Sequence, residues 1–227
     1  MPERKGKFVN IIDLTYTLDK DIPVWPGTPE PRIGTLCSYT KEGFKETTLS
    51  ITSHMGTHMD APSHLFAKGK TLEQFPAEHF MGKAVVIDCT GMEEGEHITC
   101  KYIEPVREQV DAADFLLFRT GWEKFWGEKE YIRRSPGLDP ETAKYIARAG
   151  KKGVGIDTMS IDAAEARELP AHKVLLGTNQ MVIIENLCRL EELGDGLVDF
   201  IALPMKYQCA DGAPVRAMAC SDGIFSI

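Results

Sequence analysis

The sequence predicts an α/β fold built around a mixed sheet. Short apolar runs rich in β-branched residues recur along the chain, as is typical of strands, and they lie at residues 8–12, 84–88, 115–118, 153–156, 181–184 and 197–201. Amphipathic stretches separate these runs, which is the pattern of strands alternating with helices. Residues 47–54 instead alternate between polar and apolar side chains, which predicts a half-buried strand. Because this alternation is typical of a hairpin, we expect a sheet that is not purely parallel.

The clearest helix signal follows residue 138. Asp139 is a favoured N-cap residue, Pro140 suits the first helical position, and Gly150 is a typical helix end. A second helix is predicted from Trp122 to Arg134. The sequence thus places helices between the predicted strands, as an α/β domain requires.

A proline-rich segment near the start of the chain predicts a stiff loop. Residues 21–29 contain three prolines and one glycine, which excludes a helix or a central strand. The loop carries an aromatic residue, Trp25. Its sequence fits a surface loop with a tucked indole and a functional loop equally well.

Composition limits the classes of function. The chain has 227 residues, of which 43% are hydrophobic, and this fits one domain over residues 1–227. The net charge of −8 argues against a nucleic-acid partner, which requires a basic face. No apolar run has the length of a membrane span, and Asn10 and Asp13 interrupt the apolar stretch near the start of the chain. We therefore expect no membrane partner and a cytoplasmic location.

The six cysteines form no C-x-x-C pair. A chain of this size and apolar content does not need disulfides to fold. We expect free and mostly buried thiols.

Three of the six histidines fall within eleven residues, together with an aspartate, as His54, His58, Asp60 and His64. A helix would place His54 and His58 on one face, but Gly56 weakens that reading. In an extended chain all four residues share one parity, so two imidazoles and a carboxylate can converge from one side. Hydrogen-bonded or exposed histidines are the simpler alternative. The shared face and the ligand types favour a zinc, manganese or iron(II) site.

Two further titratable residues lie far along the chain. Glu185 sits in an apolar strand, where a carboxylate is costly unless it is paired or bound to a cation. It could equally end the strand or pair with Arg189. His172 could be an ordinary residue on a helix surface, and the sequence alone leaves these alternatives open.

The motif His54-Met-Gly-Thr-His-Met-Asp-Ala-Pro-Ser-His64 resembles the H-x-G-T-H-x-D-x-P-x-H signature of the cyclase-like metal hydrolases, which include bacterial kynurenine formamidases and isatin hydrolases. The resemblance covers nearly the whole chain. The other segments that carry it are residues 12–15, 23–27, 119–122, 155–160 and 213–216, with His172 and Glu185.

The resemblance implies a set of roles. His54, His58 and Asp60 would be metal ligands, and in the two-metal members Asp60 and Glu185 would bridge the ions while His172 completes the second site. His64 would be the acid/base residue and not a ligand. The family fold is a single α/β domain of the swivelling β/β/α kind, assembled as a homodimer or homotetramer. The implied cofactor is one or two divalent ions, with Zn²⁺ favoured and Mn²⁺ as the alternative.

The implied reaction is hydrolysis of a small amide. A divalent ion activates water for attack, and His64 can take the proton and pass it to the leaving amine. The leading hypothesis is an arylformamidase that converts N-formylkynurenine to kynurenine and formate, with Trp25 and Trp122 stacking on the aryl group. The alternatives are a hydrolase of a cyclic amide such as isatin or of another small amide or lactone, and, in another class, a non-hydrolytic cyclase or metal-binding protein. A residue suited to proton transfer beside the ligands, and the lack of a nearby cysteine, disfavour a structural metal site.

Overall fold

A computed structural model describes residues 10–92 and 96–221 of the chain. These residues contain ten strands, namely β1 (Ile11–Asp13), β2 (Arg32–Cys37), β3 (Glu46–Ser50), β4 (His58–Asp60), β5 (Met81–Asp88), β6 (Phe115–Arg119), β7 (Gly153–Ile156), β8 (Val182–Glu185), β9 (Leu197–Pro204) and β10 (Gly212–Cys220). Eight of them form one sheet in the order β1-β10-β4-β8-β7-β6-β5-β9. Because β9 also pairs with β10, seven strands close into a barrel-like ring and β1 extends from β10.

The sheet is mixed, which confirms the predicted fold class. Strands β5, β6, β7 and β8 pair in parallel. All the other pairings of this sheet are antiparallel. The parallel strands correspond to the continuous apolar runs of the sequence, because a strand covered on both faces has no need of polar positions.

Alternate residues of these strands supply two separate cores. On β6, Phe115 and Leu117 pack among residues of β8, β9 and β10, inside the ring. The intervening Leu116 and Phe118 pack on the other face, against helical residues such as Ile146. The period-two alternation of strand side chains thus gives the sheet one face for the ring interior and one for the helices.

Four α-helices lie in the described residues: α1 (Arg107–Ala112), α2 (Lys129–Arg133), α3 (Pro140–Arg148) and α4 (Pro170–Leu176). Short 3₁₀ helices connect the larger elements, at Pro62–His64, Leu72–Gln74, Ala77–Phe80, Cys100–Tyr102, Glu104–Val106, Trp122–Phe125 and Leu190–Leu193. The prediction for α3 is confirmed. The Asp139 carboxylate accepts hydrogen bonds from the backbone N–H groups of Glu141 and Thr142 at 3.0 and 3.1 Å. Gly150 follows the helix with a φ of +68°.

The single helix predicted from Trp122 to Arg134 is wrong. The segment contains the 3₁₀ helix Trp122–Phe125 and the short helix α2, and Gly127 separates them with a φ of +85°. A left-handed residue cannot continue a right-handed helix, so the amphipathic pattern is split at this glycine.

The half-buried strand predicted at residues 47–54 is also wrong in its burial and its end. Strand β3 stops at Ser50, and all of its residues are exposed. It pairs with β2 in a separate two-stranded sheet, hereafter the arm (residues 32–50). The first predicted strand is shifted as well, to Ile11–Asp13, and its first two residues lie outside the described part of the chain.

The cysteines confirm one smaller expectation, and the helices add a separate observation. All six cysteines are free, as predicted, although only Cys89, Cys188 and Cys220 are buried. Across residues 10–92 and 96–221, no helix is both long and apolar enough to cross a bilayer.

Candidate functional site

Strand β4 brings together residues from both halves of the chain. His58 and Asp60 are two positions apart on this buried strand, so their side chains share one face. The antiparallel register with β8 places His58 opposite Glu185. His172 lies in the first turn of α4 and is also buried. Gly56, with a φ of +64°, makes the turn that precedes β4.

Asp60 lies at the centre of the cluster. Its Oδ1 is 2.5 Å from Nδ1 of His54 and 3.3 Å from Nε2 of His58. Its Oδ2 is 3.2 Å from Nε2 of His172. One buried carboxylate thus contacts three imidazoles through both of its oxygens.

Glu185 contacts two of the same imidazoles from the other side. Its Oε2 is 3.4 Å from Nε2 of His58, and its Oε1 is 3.3 Å from Nε2 of His172. The backbone N–H of Ile161 donates to Oε1 at 2.6 Å and holds the carboxylate in place. The strand carboxylate flagged by the sequence therefore does not pair with Arg189, whose side chain binds Glu192.

Each of the three imidazoles has an acceptor at its outer nitrogen. Nδ1 of His58 lies 2.9 Å from the carbonyl oxygen of Gly56, and Nδ1 of His172 lies 2.6 Å from Oδ2 of Asp162. Nε2 of His54 lies 3.0 Å from Oδ2 of Asp211. Outer acceptors of this kind fix the tautomer and orientation of histidines that bind metals.

This donor set fits a divalent metal ion. When His58 and His172 donate Nδ1–H outward, their Nε2 lone pairs face the carboxylate oxygens of Asp60 and Glu185. Two acceptors then oppose each other, and a cation satisfies both. Two groups of residues each place three ligand atoms within 4.8 Å of one another, His58 with Asp60 and Glu185, and His54 with Asp60 and His64. The mixture of imidazole and carboxylate ligands suits zinc and manganese alike.

Burial and charge act in opposite directions on these groups. Burial by itself lowers the pKa of the His58 imidazole, but the Asp60 and Glu185 carboxylates outweigh it and raise that pKa to about 10. Burial raises the pKa of the Asp60 carboxyl, yet His54 and His58 hold it well below its usual range. The carboxylates therefore favour positive charge at this point in the molecule.

His64 lies beside the cluster, at the end of the 3₁₀ helix Pro62–His64. Its ring centroid is 3.9 Å from that of His54 and 6.1 Å from that of His172. Burial lowers the pKa of the His64 imidazole, in contrast to the three imidazoles that contact carboxylates. The structure brings His64 within reach of the same ligand atoms, so distance alone allows it as a ligand or as a proton-transfer group.

The cluster forms the floor of a cavity of about 450 Å³. The proline-rich loop contributes Trp25, which lines the cavity together with apolar side chains that include Met159 and Leu169. Trp122 is not among the lining residues, and its indole N–H donates to the backbone carbonyl of Tyr131 at 3.2 Å. Of the two tryptophans predicted to contact substrate, the structure brings only Trp25 to the cavity.

Three residues of the site carried no clear signal in the sequence. Asp162 holds His172 and also accepts hydrogen bonds from the backbone N–H groups of Ala171 and His172 at the start of α4. Asp211 holds His54. Gly212 packs so closely that an added Cβ would lie 2.5 Å from Cε1 of His54. Asp162 lies just after, and Gly212 just before, the segments 155–160 and 213–216 that resemble the family, and this proximity was the available hint.

Comparison with known proteins agrees with this geometry. The Cyclase family matches residues 12–163, which is more than half of the chain. A kynurenine formamidase of Bacillus thuringiensis (strain Al Hakam) is 31% identical over 214 residues, which cover 91% of this chain and 95% of the relative.

Solved structures show the same architecture. Isatin hydrolase A from Labrenzia aggregata, bound to benzyl benzoate, superposes with a TM-score of 0.82 at 28% identity, with 93% of each chain covered. A protein described as a potential metal-dependent hydrolase with cyclase activity superposes with a TM-score of 0.76 at 27% identity, covering 94% of this chain and 99% of the other. The residues that the Cyclase family matches include the motif from His54 to His64. The chain therefore belongs to the cyclase family of metal-dependent hydrolases.

Proposed function

We propose that this protein is a metal-dependent amide hydrolase, and specifically an arylformamidase that converts N-formylkynurenine to kynurenine and formate. The observation that carries the proposal is the arrangement at the floor of the cavity. Asp60 and Glu185 both contact Nε2 of His58 and of His172 there. The Nδ1 atoms of these two histidines lie within hydrogen-bond distance of other acceptors, which leaves each Nε2 lone pair for an ion. The kynurenine formamidases that resemble the chain over 91% of its length support the choice of substrate.

The ligand roles are those that the resemblance to the family implies, and the contacts around Asp60 and Glu185 support them. His54, His58 and Asp60 would hold one ion, and His172 and Glu185 with Asp60 would hold a second, with Zn²⁺ favoured and Mn²⁺ as the alternative. Such an ion supplies Lewis-acid chemistry at the floor of the cavity. The buried backbone N–H of Ile161 keeps Glu185 oriented toward the other ligands.

His64 would move the proton. Its imidazole is partly exposed to the cavity, and it lacks the short carboxylate contacts that hold the imidazoles of His54, His58 and His172. A neutral imidazole at this position can take a proton from the attacking water and return it to the aryl amine nitrogen as the C–N bond breaks. Trp25, Met159 and Leu169 would pack against the aryl ring and exclude water from it.

A second candidate is the opening of a cyclic amide such as isatin, or of another small amide or lactone. The structural similarity to isatin hydrolase A supports it, and the ligand set and the acid/base residue would be the same. A non-hydrolytic cyclase or a metal-binding protein without catalysis is the remaining candidate. The cavity above the ligands disfavours a closed structural site, since structural zinc is usually enclosed by four protein ligands.

The deciding experiment compares hydrolysis of N-formylkynurenine and of isatin by the wild-type protein, His64→Ala and His97→Ala, with metal content measured on each sample. His97 is a matched control because it lies outside the cavity and contacts Glu165. We expect turnover of N-formylkynurenine by the wild type and by His97→Ala, and loss of turnover in His64→Ala with the metal retained. Loss of metal together with activity would instead make His64 a ligand.

The pattern of turnover on the two substrates distinguishes the candidate functions. Turnover of isatin alone would replace the arylformamidase assignment with the second candidate. No turnover of either substrate by a metal-loaded wild type would contradict the leading substrate and leave other small amides and lactones. Removal of the metal with a chelator should abolish turnover, and its return should restore it.

We further propose that the chain works as a homodimer or homotetramer. The arm supports this, because it exposes Ile33, Leu36 and Leu49 on its two strands and Tyr39 and Phe44 in the turn that joins them. A two-stranded sheet alone is marginally stable, and exposed apolar patches mark interaction sites. The arm also begins just after Pro29 and ends just before Thr52, both of which line the cavity. Molecular mass in solution tests the assembly, and the cytoplasmic location stays a prediction from the sequence.

A further inference from the structure

Asp211 occupies a position that connects two histidines of the proposed active site. It immediately precedes β10, and the neighbouring Gly212 is registered with Asp60 of β4. The backbone carbonyl of Asp211 accepts a hydrogen bond from the N–H of Ala61 at 2.9 Å. The backbone of Asp211 is therefore held next to the end of β4, the strand that carries His58 and Asp60. This leaves the Asp211 side chain available to contact the histidines.

The carboxylate of Asp211 is aimed at the histidines by its neighbours. Its Oδ2 lies 3.0 Å from Nε2 of His54 and 3.9 Å from Nδ1 of His64. Ser53 donates its hydroxyl to the same Oδ2 at 3.3 Å, and the Tyr207 hydroxyl lies 3.5 Å from Oδ1. Tyr207 also donates to the carbonyl of Gly212, which steadies the loop.

Each of the two histidine contacts has a chemical consequence. A carboxylate at Nε2 of His54 keeps the proton on that nitrogen and leaves the Nδ1 lone pair for an ion. A carboxylate near Nδ1 of His64 orients that ring and stabilises the imidazolium that forms when the other nitrogen accepts a proton. A single negative charge can do both because the centroids of the two rings are only 3.9 Å apart.

We propose that Asp211 is a positioning residue for the hydrolytic reaction, which holds His54 in its ligand tautomer and supports the charge that develops on His64. The inference rests on the proposed function, since it takes His54 as a ligand and His64 as the acid/base residue. It assigns a role in chemistry to a residue that does not itself line the cavity.

Two substitutions separate the two parts of this role. Asp211→Asn keeps the shape and one acceptor oxygen for His54 but removes the negative charge, so we expect kcat to fall about 10- to 100-fold with little change in metal affinity. Asp211→Ala also removes the acceptor, so we expect metal affinity to fall by a further 10-fold or more. Asp195→Asn, at an exposed position in the loop before β9, is the matched control and should behave as the wild type.

The measurements are metal affinity by competition with a chromophoric chelator, kcat and KM for N-formylkynurenine at saturating metal, and the thermal unfolding temperature. Unchanged kcat in Asp211→Asn would overturn the role at His64, and unchanged metal affinity in Asp211→Ala would overturn the role at His54. If the wild type hydrolyses no aryl formamide, the proposed function fails, and the metal affinities still decide the role at His54. If Asp211→Ala does not fold, Asp211→Asn decides the part at His64, and the metal affinity of Asp211→Leu decides the part at His54.

Discussion

The floor of the cavity and the arm depart from the usual distribution of side chains in opposite directions. At the floor, Asp60 and Glu185 are 1% and 4% exposed although both are carboxylates. On the arm, Leu36 and Leu49 are each 60% exposed although both are apolar. Buried charge and exposed apolar surface both raise the free energy of an isolated chain.

The two departures point to different ligands. Buried carboxylates that face imidazole lone pairs are stabilised by a cation, so the floor of the cavity calls for metal. Exposed aliphatic and aromatic side chains are stabilised by another apolar surface, so the arm calls for a protein partner. In each region we propose that the unusual residues are stabilised by something that the single chain does not contain.

The largest effect should come from removing the central charge of the cavity floor. Asp60→Asn deletes the carboxylate that contacts His54, His58 and His172. We expect loss of bound metal and a fall in turnover of more than about 100-fold. Substitution of residues that only support the ligands already lowers metal affinity or activity by about 10- to 100-fold, and Asp60 is itself a proposed ligand. Metal analysis and turnover on the same sample measure this. A variant that kept its metal would contradict the proposal that a metal ion stabilises the buried carboxylate of Asp60, and the burial of that charge would then need another explanation.

A smaller effect is expected when the same site is disturbed without any change of charge. In Gly212→Ala the new Cβ would lie 2.5 Å from Cε1 and 2.9 Å from both ring nitrogens of His54, so the ring must move. A displacement of about 1 Å at a catalytic site can cost about 100-fold in rate. Turnover of Gly91→Ala is the control, because no atom lies within 4 Å of the corresponding Cβ. Equal activity of the two variants would show that the position of His54 is not critical.

A charge introduced on the arm should disrupt the proposed oligomer but hardly change the stability of the subunit. Leu49 pairs with Ile33 across the hairpin, whereas Thr48 lies on the opposite face. We expect Leu49→Lys to dissociate the oligomer while changing the free energy of unfolding of the subunit by no more than about 0.5 kcal/mol. Light scattering after size-exclusion chromatography measures the mass, with Thr48→Lys as the control. A wild-type chain that is already monomeric would contradict the proposal that a second copy of the chain covers the arm.

The smallest effect concerns a half-buried carboxylate outside the cavity. Burial raises the pKa of Glu123 to about 7, and the neighbouring Glu191 carboxylate adds to this because it accepts a hydrogen bond from the protonated form of Glu123. Because the folded pKa lies above the ordinary value of 4.5, the folded state binds this proton more tightly. Stability should therefore increase as the pH falls through 7 toward 4.5.

Glu123→Gln removes this dependence, while its amide oxygen can still accept from the backbone N–H of Arg189. We expect the variant to unfold at a higher temperature than the wild type at about pH 8 and at the same temperature near pH 5. The exposed Glu128→Gln should show no such difference. A gain that persisted at low pH would mean that charge burial is not its cause.

The predictable part of this protein rests on local patterns. The parallel strands were visible as apolar runs because a strand buried on both faces needs a nearly continuous apolar sequence, and α3 was visible because Asp139, Pro140 and Gly150 act on their immediate neighbours. The motif from His54 to His64 was visible because its residues are close in sequence, and the resemblance to a known family extended the candidate ligands to His172 and Glu185.

Only the tertiary structure decided which distant residues meet and which alternations are buried. Asp211 reaches His54 across a sequence separation of 157 residues, because β10 pairs with β4, and no local pattern encodes that pairing. The alternation at residues 47–54 and the amphipathic stretch from Trp122 to Arg134 were misleading for a related reason. Periodicity states which side of an element is apolar, but the neighbours of that element decide whether the side is covered, and one left-handed glycine is enough to divide a helix.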